Sequence, residues 1–331
     1  MKKSLRLVVA VSATSMVISA LASGPGTAAG VDGPATNLGE ARSAQPVRLV
    51  AGRAHGAGSY VGPARTRSAD RVAATATFNV TYKGFTRPAR RAFQSAVNIW
   101  ATRVTSSVPI TVKARFTPLG SNVLGSAGSS FLWRDFRGAP RQGTFYVDAI
   151  ANKRFGRQLD SSPDIVANFN SSFSDWYYGT SGGTPAGKYD FKSVVLHELG
   201  HGLGFQGAGR VDSGRGSVRL GGLPTSYDPF TENGAGRQLL TFPDNSTQLA
   251  TQLESNSVYF DSTRVRDANA GEPARLYAPG AWQQGSSYSH LNEATYPKGN
   301  ANSLMTPILN PAEAIHTPGP ITQALFKTIG W

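Results

Sequence analysis

Apolar and polar positions alternate in several separated stretches. Phe78-Asn79-Val80-Thr81-Tyr82 has the period of two expected of a strand. Ile110, Val112, Ala114 and Phe116 alternate with Thr111, Lys113 and Arg115, which predicts a half-buried strand. Thr144 to Ile150 and Asp164 to Phe169 also read as strands. Between the first two, the period lengthens. Thr86 is placed to cap a helix with Pro88 in its first turn, and Phe93, Val97, Trp100 and Ala101 fall on one face. A second helix is predicted in Phe191 to Phe205, FKSVVLHELGHGLGF. Asp190 would be its N-cap, Val195, Leu196, Leu199 and Leu203 would supply apolar surface, and Gly202 and Gly204 would end it. The glycine- and serine-rich run Gly120 to Gly128 and the polar run Ser171 to Gly187 read as loops. Beyond Gly204 the chain becomes irregular, with a short strand at Val258-Tyr259-Phe260. It closes in a helix over 321–331, with Ile321, Leu325 and Phe326 inward and Gly330 at its end. This order predicts an α+β domain, a mixed α/β sheet layered with two long helices and followed by an irregular C-terminal part ending in a helix.

The first 75 residues are patterned differently. Lys2, Lys3 and Arg6 precede the apolar run Leu7 to Leu21, and Thr27-Ala28-Ala29 or Ala20-Leu21-Ala22 offers small residues for cleavage. Residues 1–30 therefore read as a secretory signal peptide, which predicts export and no stable membrane insertion: Ser12, Thr14, Ser15 and Ser19 interrupt the run, and it is shorter than a span needs. Residues 31–75 are rich in Ala, Gly, Arg and Ser without sustained periodicity, as expected of a pro-segment or flexible linker. Within it, His55 or Asp70 could block an active site, although a solvated linker residue is the plainer reading of each. The catalytic domain is expected over 76–331, divided into 76–204 and 205–331.

Composition narrows the chemistry. The 331 residues are 40% hydrophobic, which suits a globular domain, and include no cysteine. Disulfides, thiolate ligands and a cysteine nucleophile are thereby excluded. The net charge of +13 raises the question of nucleic acid. Nine basic and three acidic residues fall within 1–71, however, and no dense Lys/Arg run or basic-aromatic module occurs in the mildly basic remainder. A solvated cationic surface fits better than a nucleic-acid interface.

The second helix carries His197-Glu198-Leu199-Gly200-His201, an H-E-x-x-H pattern. Residues four apart share a helix face, so His197 and His201 can both reach one cation. Glu198 is one step round, where it can serve as a general base without ligating. Zinc suits imidazole ligands in tetrahedral array and keeps one position open in catalytic sites. A third protein ligand is then required. In the compact pattern H-E-x-x-H-x-x-G-x-x-H, Gly204 matches the glycine, but the ligand position is Gly207, which has no side chain to donate. Glu232, His290 and His316 remain as candidates.

The ending discriminates among them. Ser289-His290, then Leu304-Met305-Thr306-Pro307, then ITQALFKTIGW at 321–331 follow HELGHGLGF at 197–205. In this order and content the chain resembles the leishmanolysin-like metzincins. The resemblance covers roughly 191–205 and 286–331, with weaker likeness from Phe78. The absence of cysteines departs from the disulfide-rich protozoan members, and the insertion after Gly204 differs. The resemblance implies a metzincin-like zincin with a twisted, mostly parallel sheet. It implies zinc ligands His197, His201 and His290, the general base Glu198, and Met305 as the Met-turn residue.

The expected activity is zinc-dependent endopeptidase action on protein or peptide substrates by a monomer, in which Glu198 takes a proton from water activated by the metal and returns it to the leaving amine. The strand at Ile165 to Phe169 is expected to pair with an extended substrate by edge addition. A rival reading is an inactive, zinc-stabilised adhesion or binding module; retention of Glu198 favours the enzyme. Asp160, Asp164 and Asp175 offer oxygen ligands for calcium without any EF-hand spacing. Trp100, Trp176, Tyr177 and Tyr178 could form a ligand platform, though core packing is the plainer reading.

Overall fold

The structure is a computed structural model that describes residues 39–53, 56–62 and 74–331. The expected signal peptide, His55 and Asp70 lie outside the described residues. The described residues all belong to one compact unit.

The elements follow in chain order. First come β1 (Glu40–Ser43), β2 (Val47–Ala51), β3 (Ser59–Val61), β4 (Phe78–Lys83) and helix α1 (Arg87–Ala101). Next are β5 (Ile110–Thr117), β6 (Val123–Ser129), β7 (Phe131–Arg134), β8 (Tyr146–Val147) and α2 (Asp148–Phe155). Then come β9 (Ile165–Asn170), β10 (Trp176–Tyr177), β11 (Tyr189–Asp190) and α3 (Phe191–Gly202). The C-terminal part holds β12 (Arg210–Asp212), β13 (Arg215–Ser217), β14 (Thr231–Asn233), α4 (Thr247–Leu253), β15 (Val258–Phe260) and α5 (Thr263–Ala268). It ends with β16 (Ala274–Arg275), β17 (Ile308–Leu309), β18 (Glu313–Ile315) and α6 (Gly319–Ile329).

The main sheet has the order β17-β2-β6-β9-β5-β4. Strand β6 runs against both neighbours and the other pairings are parallel, so the sheet is mixed, with one reversed strand. Helices α1 and α3 form the expected helical layer. Thr86 caps α1 by accepting from the Ala89 amide, and Asp190 caps α3 by accepting from the Ser193 amide. The predicted inner face of α1 is buried. Its Trp100 stacks on Phe326 of α6 and donates from Nε1 to the Leu196 carbonyl of α3, which fixes the two helices to each other. Trp176 likewise packs against Phe173 and Phe191 and donates to the Asn170 carbonyl, so neither indole forms a ligand platform.

Four sequence expectations are corrected. Residues 40–61, expected in a linker, supply three strands, and β2 sits inside the main sheet with Val47 and Leu49 buried. The presumed loop at Gly120 to Gly128 contains β6. Its glycines misread as turn signals; Gly125 is there because a neighbour approaches closely, as a Cβ on it would lie 2.8 Å from Glu198 Oε1. Thr144 to Ile150 is a strand only at Tyr146–Val147, because Asp148 opens a helix. The strand at Ile165 is interior, flanked by β5 and β6, so it has no free edge for a substrate.

Candidate metal centre

All 12 residues of α3 are buried, and His197 and His201 lie one turn apart on it. His290 arrives on the loop Ser286–Asn292, so the structure brings together the three histidines expected from the sequence. Their Nε2 atoms form a triangle: 2.9 Å between His197 and His201, 3.2 Å between His201 and His290, and 3.2 Å between His290 and His197. Tetrahedral zinc at about 2.05 Å from each nitrogen would separate them by roughly 3.3 Å. The triangle is therefore of the right size for a single small cation.

The chemistry of the donors points the same way. His197 Nδ1 donates to the Leu304 carbonyl (2.6 Å), His201 Nδ1 to the Phe205 carbonyl (2.8 Å), and His290 Nδ1 to the Ser286 carbonyl (2.7 Å). A carbonyl only accepts, so each Nδ1 carries the proton and each Nε2 presents a bare lone pair. Three lone pairs turned on one another at about 3 Å repel unless a cation lies between them. Burial favours the neutral rings: it lowers His197 to about 4 and holds His201 and His290 well below the ordinary histidine range, the neighbouring imidazoles adding to the effect. Neutral imidazole is the ligating form.

Glu198 is fully buried and both its carboxylate oxygens lack a hydrogen-bond partner. Burial raises its carboxyl well above the usual range. The Leu49 and Ala127 amides face it and offset part of that shift, without either completing a hydrogen bond. Among the described residues, the histidine triad is the one group of three or more potential ligands in mutual reach, and Glu198 does not belong to it. Glu198 is thus a buried carboxylate outside the histidine triad, one step along the helix from His197, with no hydrogen-bond partner.

Two loops hold His290 in place. Met305 is buried against α3 where Gly200 leaves room, since a Cβ there would fall 2.8 Å from its Sδ. The Met305 carbonyl accepts from the Leu291 amide (2.8 Å), joining this turn to the His290 loop. On the other side stands Asp228, a residue that sequence patterning does not single out. Its Oδ1 accepts from the Ala208 amide and the Tyr288 hydroxyl, and its Oδ2 from the Thr225 amide and hydroxyl. Burial still raises Asp228 to about 6 against these four donors. Tyr288, at φ +73°, is two residues before His290, so the network sets the loop that presents this histidine. Gly207 is also explained: a Cβ there would lie 2.5 Å from Asp228 Oδ1 and 2.3 Å from Tyr288.

The other candidates are placed elsewhere. His316 Nε2 donates to Asp190 Oδ1 (2.9 Å), at the opposite end of α3 from His201. Glu232 lies on β14 near Asp261 and Arg266. The calcium candidates do not converge: Asp164 accepts from Thr111 and Asn152, Asp160 from the Ser162 amide, and Asp175 pairs with Lys188. Each carboxylate has its own local donor, and among the described residues the three form no common ligand group. Among the described residues no helix is long and apolar enough to cross a membrane. Searched against protein-family models, curated proteins and solved structures, the chain matches none.

Proposed function

We propose that this chain is a secreted zinc-dependent endopeptidase. The observation that carries the reading is the pairing of three inward-turned Nε2 lone pairs with an adjacent carboxylate that ligates nothing. His197, His201 and His290 would hold the ion, their orientation fixed by the three carbonyls behind them. When bound, zinc supplies Lewis acidity, acidifying a water and polarising a peptide carbonyl. Glu198 accepts the proton of the attacking water. A buried, poorly solvated carboxylate is a stronger base than one in solvent. Glu198 then carries the proton to the departing amine. The chain has no cysteine nucleophile, and the route needs no acyl-enzyme. Export is inferred from residues 1–30 alone, and N-terminal sequencing of the protein from culture medium tests it.

The rival reading is a zinc-stabilised extracellular binding module, and the complete enclosure of the triad favours it. Structural zinc is held by four protein ligands, however, and the group here has three. Glu198→Gln separates the readings. Zinc should remain stoichiometric by elemental analysis while casein hydrolysis falls at least ~10²-fold, the scale of losing general base catalysis. Casein hydrolysis persisting in that variant would refute the proposed chemistry. His290→Ala should lose both zinc and activity.

A further inference from the structure

The site is sealed. His197, Glu198, His201 and His290 are each 1% exposed or less. An enzyme that cuts protein chains must admit a length of extended backbone to these groups, so whatever closes the site has to be displaceable.

Strand β2 is one of the elements packed against α3 on the side of Glu198. One edge pairs antiparallel with β6 in the register Val47↔Ala127, Arg48↔Ser126 and Leu49↔Gly125. Its other edge donates from Arg48 to the Gly285 carbonyl (2.9 Å), from Val50 to that of Pro307 (3.1 Å), and from Gly52 to that of Leu309 (2.8 Å). Gly285 belongs to the loop that ends at His290, and Pro307 follows Met305 by two residues. The segment is thus threaded between the strand whose Gly125 abuts Glu198 and the two loops that build the third ligand. Leu49 is partnered with Gly125 in that register, and its amide faces the Glu198 carboxylate. Val47 and Leu49 are buried and Arg48 is exposed, so the side chains alternate between pocket and solvent as in an extended peptide.

The geometry defines what would remain without β2. Strands lie about 4.8 Å apart, so its removal leaves a slot roughly 9.6 Å wide between β6 and residues 307–309. Both walls would carry unpaired backbone donors and acceptors, the template that an added strand satisfies. At the start of β2 the slot opens into a cavity of about 590 Å³ lined by Gln45, Val47, Gln206, Trp282, Gly285 and Ser289.

We propose that Val47–Ala51 is a resident substrate mimic: it fills the groove that takes an extended peptide along β6, keeps the site latent until displaced, and marks the pocket under Leu49 as one for an aliphatic side chain. The inference rests on the endopeptidase reading and adds its substrate geometry and its regulation.

The test uses the full chain and two readouts, the rate of zinc uptake from a buffered zinc solution and casein hydrolysis. Leu49→Asp puts a carboxylate where a buried aliphatic side chain packs and should expel the strand, speeding both at least tenfold. Val47→Cys with Ala127→Cys joins residues that are direct partners across β2 and β6, in a chain with no other cysteine. Oxidised, this pair should slow both readouts at least tenfold relative to the same protein under dithiothreitol. Equal rates for the oxidised and reduced pair overturn the proposal, and this arm decides even if Leu49→Asp fails to fold. A folded Leu49→Asp protein with unchanged zinc uptake overturns it as well. Faster uptake without hydrolysis upholds the resident strand and overturns the endopeptidase reading instead.

Discussion

Gly125 offers the most direct probe of how Glu198 is held. Alanine there places a Cβ 2.8 Å from Glu198 Oε1, 2.9 Å from its Cγ and 3.1 Å from its Cδ. Ordinary contact begins at 3.4 Å, so relief requires the carboxylate to move by about 0.6 Å. The backbone of β6 cannot yield easily, because it is paired on both sides by β2 and β9. The side chain of Glu198 is therefore what moves. A displacement approaching 1 Å of a group in the reacting constellation costs on the order of 10²-fold in rate. The glycine lies outside the positive-φ region, so alanine there lowers the entropy of the unfolded chain, a gain of about 0.4–1 kcal/mol. Overpacking offsets that gain by about 1–3 kcal/mol. The expected result is a roughly 10–100-fold loss of kcat on a fluorogenic peptide, with one zinc per chain retained. Full kcat in a folded, zinc-loaded Gly125→Ala protein would show that Glu198 is not the group whose position limits turnover.

Three further outcomes follow from buried polar groups and close packing. Asp228→Asn turns an amide NH₂ toward either the Ala208 or the Thr225 backbone N–H, so one donor loses its acceptor. Stability should fall by about 2–3 kcal/mol in urea, and zinc affinity by roughly tenfold or more through the Tyr288–His290 loop; an unchanged midpoint and affinity would remove Asp228 from its supporting role. Asp148 is raised to about 8 by burial first, against the Phe131 and Trp133 hydrogen bonds, with Asp164 and Asp160 adding to the rise. The folded state then holds its proton while the unfolded chain, near 3.9, releases it, so stability is full below about pH 4 and falls as pH rises toward 8, by at most about 1.4 kcal/mol per unit. Asp148→Asn should flatten that slope in a series of melting temperatures, and parallel curves for the two proteins would contradict it. Gly200→Ala drives a Cβ to 2.8 Å from Met305 Sδ and 3.1 Å from its Cε; the melting temperature should drop by the equivalent of about 1–3 kcal/mol, and no drop would mean that this turn is not tightly packed on α3.

What could be read from the sequence was what depends on near neighbours. Helix α1 was legible because Thr86, Pro88 and the apolar face all lie within one element, and α3 because Asp190 and the His197–His201 spacing do too. Strands β4, β5 and β9 showed their periods for the same reason. His290 was reached only through the Ser-His and Leu-Met-x-Pro pattern, since nothing local to it signals a ligand. The Asp228 network was invisible, because its partners Ala208, Thr225 and Tyr288 are scattered over 80 positions and none has a distinctive residue type.

Glycine accounts for the rest. Read locally, glycine breaks strands and ends helices, and that rule turned β6 into a loop. In the structure, the glycines around α3 record how near its neighbours come. Gly125 stands against Glu198, Gly200 against Met305, and Gly202 against Ile165, where a Cβ would fall 2.4 Å from Cγ2. These contacts reach α3 from β6, from the turn before β17, and from β9. A helix hemmed in on three sides has no solvated face to give it an amphipathic period, which is why its burial is complete. The same crowding fixes the histidine carbonyl partners and leaves Glu198 without one. Access to the metal ligands through the helix or the β9 side would require breaking this packing. On the β2 side lies a strand whose own backbone pairs could be exchanged for those of another extended chain, so opening there costs the burial of Val47 and Leu49 and leaves the packing of α3 on β6 and β9 in place.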